Sequence, residues 1–254
     1  MTALASVLAA LVAFATAVVG VVTGGNSLVT VPALLALGMP SRQAVATNMF
    51  AVTFLALSGW IRFARSGRIR WDVTTPLVGI TLVTSWLGAR LVSTLSEPVV
   101  RAIVAGSLVV MLGVIALRPR FGEGPARSVS RARYATGMAI AAVLGVYGGL
   151  FSGGYTTLLT FTCVGLLGTS LGEAVGLTKV VNFASSAIAS VEFARQGLID
   201  WRLAAPLSLA MIGGAWIGAG LAVRLGHRFM RAVFVTALVG LSLKLVIWDL
   251  ILRR

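Results

Sequence analysis

Histidine and cysteine occur once each in this chain of 254 residues, as His227 and Cys163, and lysine only twice, as Lys179 and Lys244. One thiol cannot form an internal disulfide or a thiolate metal cluster, and one imidazole removes histidine-rich metal sites, so neither a metal centre nor redox chemistry is expected. No glycine-rich loop is followed by the Lys-Ser/Thr pair of a P-loop, which leaves no ATP site. No nucleophile, base and orienting acid come together as a triplet, so the chain is not expected to be an enzyme, and no cofactor is implied. Charge itself is scarce, at 11% of residues, where soluble domains carry about a quarter. The balance is strongly basic, +14, but the arginines sit in short connections between apolar runs and not along one face. They therefore read as an orientation signal and not as a nucleic-acid surface.

What is present in excess is hydrophobic residues, 58%, with a mean hydropathy of +0.98. The chain reads as an all-α, multi-pass membrane protein, expected in the inner (plasma) membrane with the lipid bilayer as its surroundings. Residues 1–22 lack a charged leader and have a partner run after Tyr134, so they read as a membrane segment and not as a cleaved signal.

The chain repeats itself at an offset of 130 residues. Phe63-Ala64-Arg65 and Gly67 return as Phe193-Ala194-Arg195 and Gly197, and Gly24, Gly38, Trp86 and Gly88 match Gly154, Gly168, Trp216 and Gly218. This divides the chain into a first membrane repeat, 1–120, a basic linker, 121–132, and a second repeat, 133–254. Each half contains five apolar segments: 3–22, 27–37, 42–64, 73–95 and 98–117, then 134–150, 156–167, 171–194, 203–225 and 229–250. Most approach the roughly 20 residues of a spanning helix. Segments 27–37 and 156–167 do not: as helices they reach about 16 to 18 Å, half the hydrocarbon thickness. Both follow glycine-rich breaks, Gly24-Gly25-Asn26-Ser27 and Ser152-Gly153-Gly154-Tyr155-Thr156-Thr157. Broken backbone at membrane depth needs protein or a wet cavity to satisfy it, so the breaks are predicted to face each other around a site. Whether the short segments cross or re-enter is left open.

Equivalent connections have exchanged their charge. Arg62, Arg65, Arg68 and Arg70 stand against Asp72 alone, while the matching stretch balances Arg195 and Arg202 with Glu192 and Asp200; conversely Arg224, Arg228 and Arg231 outweigh Glu97 and Arg101. If basic loops stay inside, the halves are inverted and the linker is cytoplasmic. Arg253 and Arg254 dissent, and a parallel repeat is the alternative.

Lys179 lies deep in an apolar run, where an ionised group costs at least about 2.5 to 3.5 kcal/mol and normally faces a cavity or a partner. Glu173 is the candidate structural partner; an anion is the functional one. Thr178 and Asn182 flank Lys179 at helical spacing, and Thr47 and Asn48 occupy nearly equivalent places in the first half. Amides and hydroxyls beside an ammonium suit an oxyanion. Helices beginning after Gly25 and Gly154 would add N–H groups and a positive dipole end, with Asn26, Ser27, Thr156 and Thr157 as caps and contacts. Gly148-Gly149 and Gly213-Gly214 read as close helix packing, and Trp60, Trp71, Trp201 and Trp248 as an interfacial belt.

Together, the first break with Pro32 and the stretch Gly38 to Thr47, then Gly148-Gly149 to Gly154, Leu167-Gly168, Ala174, Thr178-Lys179-x-x-Asn182 and the Gly67 and Gly197 loops ending in Trp71 and Trp201, resemble the TauE/SafE family of sulfite and organosulfonate exporters over nearly the whole chain. The first break departs from the richer glycine pattern, with Asn26-Ser27 after two glycines. The resemblance implies a secondary transporter that exports small sulfur-containing anions such as sulfite or sulfoacetate. The expected site then comprises Gly24, Gly25, Asn26, Ser27, Thr47, Asn48, Ser152, Gly153, Gly154, Thr156, Thr157, Thr178, Lys179 and Asn182. An anion channel and a non-transporting accessory protein are the rival readings, and a homo-oligomer is compatible with the chain.

Overall fold

The computed structural model describes residues 3–65, 69–117 and 126–221. Among these residues the chain is helical throughout, with nine helices: α1 Ala3–Thr23, α2 Asn26–Ala36, α3 Ser41–Ala64, α4 Trp71–Thr94, α5 Glu97–Leu117, α6 Arg131–Leu150, α7 Tyr155–Leu166, α8 Leu171–Arg195 and α9 Trp201–Leu221. The expected segment 229–250, with His227, Lys244 and Trp248 around or within it, lies outside the described residues, as does Gly67. Five helices, α1, α3, α4, α8 and α9, are long and apolar enough to cross a membrane. In α6, two arginines in the first turn and four glycines dilute the apolar run.

The duplication read from the sequence is present in the elements. Shifted by 130, α2 and α3 land on α7 and α8 to within one residue. Gly24 and Gly154 both adopt left-handed backbone, with φ of 79° and 80°, a region open to glycine at no steric cost. That residue type is what lets each chain turn back sharply between a long helix and a short one.

The short helices fold back instead of continuing. In the first half the Thr16 and Thr30 hydroxyls lie 2.9 Å apart and Asn26 Nδ2 donates to Thr16 Oγ1 at 3.3 Å, which sets α2 antiparallel to α1. In the second half the Arg133 guanidinium, at the start of α6, donates to the Gly165 carbonyl near the end of α7 at 2.6 and 3.1 Å. The Arg127 N–H of the linker bonds the Gly168 carbonyl at 2.9 Å. The beginning of α6 and the end of α7 thus share one end of the bundle, and α6–α7 is a hairpin.

Helices α3 and α8, which occupy equivalent places in the two halves, run antiparallel. Thr53 meets Ser190 at 3.3 Å, Trp60 meets Phe183 with ring centroids 5.3 Å apart, and Thr47 Oγ1 accepts the Asp200 N–H at 3.0 Å. These contacts exchange under the 130-residue shift: the pair 53 and 190 becomes 183 and 60. The same holds further out, where Trp86 Nε1 donates to Glu192 at 3.0 Å and, at the equivalent place, Arg62 donates to the Trp216 carbonyl at 3.3 Å while its guanidinium lies 5.3 Å from the ring. Trp60 is therefore an interhelical residue, whereas Trp71 and Trp201 are about half exposed at helix starts.

Small residues set the spacing. A Cβ on Gly88 would come 2.0 Å from the Val146 carbonyl oxygen, one on Gly149 would come 1.9 Å from that of Ser85, and one on Gly218 would come 1.9 Å from that of Val18. Helix backbones touch at these places, as is characteristic of helix association in lipid.

Candidate functional site

The two hairpins meet tip to tip. Thr156 Oγ1, in the first turn of α7, donates to the Gly24 carbonyl at 3.1 Å, and a Cβ on Gly24 would come 2.0 Å from the Thr156 hydroxyl oxygen. Beside this contact is a small cavity, about 10 Å³, lined by Gly24, Asn26 and Ser27 of the first break, Ser152 and Thr156 of the second, and Lys179 and Asn182 of α8. Gly20, Val52 and Leu55 complete its wall. Such a volume is on the scale of a single water.

Lys179 is the chemically decisive side chain. It is 2% exposed, and among the described residues it forms no ion pair or hydrogen bond. Its stem runs past Gly59, where an added Cβ would come 3.3 Å from the Lys179 Cδ. Glu173, the structural partner considered from the sequence, is committed elsewhere: its carboxylate accepts the Ser170 N–H at 2.8 Å and the Ser170 hydroxyl at 3.0 Å in a capping box that starts α8. An ammonium buried without a counter-charge among the described residues is expensive.

The remaining predicted residues divide. Asn48 stands behind the lining, donating from Nδ2 to Ser27 Oγ at 2.8 Å, while its Oδ1, like that of Asn182, is buried without a partner. Asn26 is held by Thr16 and by the Thr30 hydroxyl, which donates to its Oδ1 at 3.0 Å. Three residues serve the backbone around the cavity: Gly25 and Gly154 precede α2 and α7, and the Gly153 carbonyl accepts the Tyr147 hydroxyl. Thr157 is beside Gly24 but does not line the cavity. Thr178 bonds its own helix at the Val175 carbonyl, and Thr47 ties α3 to the loop before α9. Both point their hydroxyls at backbone and not at the cavity. The capping role expected of Asn26, Ser27, Thr156 and Thr157 is not found, since α2 and α7 start without side-chain caps. Their glycine N-caps have no side chain to offer, and the polar residues lie one or more places inside the helix.

Sequence reasoning missed Gly20, Val52 and Leu55. The signal was available: Val52 is the 130-residue counterpart of Asn182, Leu55 follows it by one turn, and Gly20 precedes Gly24 by one turn.

The family model for the sulfite exporter TauE/SafE matches residues 8–245. The chain belongs to the TauE/SafE family. The TauE/SafE match spans both halves of the chain. Similar proteins are a probable membrane transporter protein of Haemophilus influenzae, 28% identical over 92% of both chains, and the probable membrane transporter protein ORF9 of Sinorhizobium sp, 25% identical over 92% of this chain and 89% of that one. The probable membrane transporter protein YfcA of Escherichia coli is 28% identical over 89% of this chain and 83% of its own length. No solved structure matches.

Proposed function

We propose that this protein is a secondary transporter that exports small sulfur-containing anions, sulfite, sulfoacetate or related sulfonates, across the inner membrane by alternating access, and that it performs no catalysis. The observation that carries this reading is Lys179, buried without a counter-charge among the described residues and lining a cavity beside the hairpin tips with hydroxyl and amide groups. The two halves act as inverted repeats. Support comes from the antiparallel run of α3 against α8 and from contacts that exchange under the repeat shift, the pattern of a two-fold axis in the membrane plane. The end of α3, the start of α4, the linker and the start of α6 bring Arg62, Arg65, Arg70, Arg127, Arg131 and Arg133 to one end, against Asp72 and Glu173. The opposite end intersperses Arg42, Arg90, Arg101, Arg195 and Arg202 with Glu97, Glu192 and Asp200. The basic end is then cytoplasmic.

Transport requires the cavity to grow, because room for one water is not room for a four-atom oxyanion. Rocking of the α1–α2 and α6–α7 hairpins across the Gly24–Thr156 contact would open it to one side and then the other. An anion leaving a cell with a negative interior is driven outward by the potential, so export does not demand a coupling ion.

The test is thermal stability of the purified protein with sulfite, sulfate, sulfoacetate, taurine and chloride, in wild type and Lys179→Ala. A ligand that binds only the folded state raises its stability, so stabilisation by a sulfur anion should appear in wild type and vanish in the variant. In proteoliposomes, flux should saturate and fall by roughly tenfold to a hundredfold in Lys179→Ala, the range for losing hydrogen bonds to a charged group. Stabilisation or flux that survives the substitution would sink the reading.

A further inference from the structure

The cavity has two faces of opposite chemistry, and the repeat explains how they arose. On α8, Lys179 and Asn182 stand three residues apart and line it together; on α3, Val52 and Leu55 do the same. Position 52 is the equivalent of position 182, and 55 of 185, where the second half has Ser185. The contacts of Thr53 with Ser190 and of Trp60 with Phe183 put Val52 and Leu55 on one side of the helix crossing and Lys179 and Asn182 on the other, so the two pairs line the cavity from opposite ends. The second half supplies a cation and an amide, and the first half supplies two branched apolar side chains, each at most 3% exposed.

Resting on the proposed transport of sulfur anions, we infer that Val52 and Leu55 are specificity-determining residues that reject anions clad in oxygen on every side. Sulfite is pyramidal, with three oxygens on one face and a bare sulfur apex; a sulfonate replaces that apex with carbon. Once the cavity has opened, either can direct its oxygens to Lys179, Asn182 and the hydroxyls of Ser27 and Thr156 while its oxygen-free apex contacts Val52 and Leu55. Sulfate and phosphate are tetrahedral and carry a fourth oxygen. With three oxygens on the polar face, the fourth must press on the apolar wall, stripped of water and given no donor in exchange, and a buried polar atom left unpaired is penalised. A site built to satisfy part of a ligand's polar surface discriminates through the part that it leaves unsatisfied. The wall thereby separates sulfite from sulfate, anions of equal charge when fully ionised and of similar size, by the chemistry of one apex.

The experiment measures dissociation constants for sodium sulfite, sodium methanesulfonate and sodium sulfate at matched ionic strength, from thermal shifts of the detergent-purified full chain. The variants are Val52→Asn, which copies the residue at the equivalent position, Leu55→Ser, which does likewise, and Lys179→Ala. Wild type should bind sulfite and methanesulfonate at least about tenfold more tightly than sulfate, and Val52→Asn or Leu55→Ser should raise sulfate affinity about threefold to tenfold, the value of one new hydrogen bond. Wild type that binds sulfate as tightly as sulfite, with Lys179→Ala abolishing both, overturns the apolar filter and leaves the Lys179 site standing. A folded Val52→Asn or Leu55→Ser that leaves the sulfate-to-sulfite ratio unchanged overturns the filter in the same way. If no anion binds wild type, or if binding survives Lys179→Ala, the transport site itself is wrong and the filter falls with it. The wild-type comparison stands even if a variant fails to fold.

Discussion

Helices α3 and α8 hold equivalent places and carry different chemistry. Met49 stands where the other half has Lys179, Val52 where it has Asn182, Leu55 where it has Ser185, and Arg62 where it has Glu192. The glycines behave otherwise: Gly24 and Gly154, Gly38 and Gly168, and Gly88 and Gly218 are kept in both halves, and the first two pairs keep left-handed backbone in both. Shape is thus specified twice, by residues whose absence of a side chain is their function. Chemistry is specified once: among the described residues the cation of this cavity comes from α8 alone.

That contrast can be broken hardest at the backbone contacts. Gly88→Val and Gly218→Val should be equally damaging, since the Cβ of each new side chain meets a carbonyl oxygen at 2.0 and 1.9 Å, and each should cost about 3 kcal/mol, the upper end for overpacking. Monodisperse yield on gel filtration should collapse for both. A large difference between them would show that the two helix crossings are not mechanically equivalent.

An intermediate effect separates Gly38 from Gly168. Both have positive φ, which strains any L side chain by about 1 to 2 kcal/mol. A Cβ on Gly38 meets nothing within 4 Å, but one on Gly168 comes 2.2 Å from the Arg127 carbonyl oxygen of the linker strap. Gly168→Ala should therefore lower the melting temperature clearly more than Gly38→Ala. Equal shifts would mean that the strap yields easily and does not brace the second hairpin.

The smallest contrast is between the two tryptophans. Trp86→Phe removes the indole N–H that Glu192 accepts and should cost about 1 kcal/mol after allowance for the part-exposed carboxylate. Trp216→Phe keeps both the ring under Arg62 and the carbonyl that Arg62 bonds, and should stay within about 0.5 kcal/mol of wild type. Chemical unfolding of the two variants side by side decides it.

Much of this architecture was legible in the sequence because it is written in spacing. The 130-residue offset, the two half-length apolar segments and the glycine breaks in front of them each constrain backbone, and backbone repeats leave a one-dimensional trace. Burial of Lys179 followed from its place in an apolar run. What could not be read was direction around a helix and register between helices. Thr47 and Thr178 lie within a turn of cavity residues, yet one is spent on the Asp200 N–H and the other on its own helix. Val52 and Leu55 were passed over because apolar residues in a membrane segment are indistinguishable by type until the antiparallel crossing of α3 and α8 says which of them face inward. The capping expectation failed for a local reason: a glycine at the N-cap leaves nothing to accept from the first helical N–H groups.

The cavity beside the Gly24–Thr156 contact is lined from both halves of the chain. A fragment ending in the linker would carry Gly24, Asn26, Ser27, Val52 and Leu55 but neither Thr156 nor Lys179. The pocket therefore exists only once the second half has been made and packed against the first.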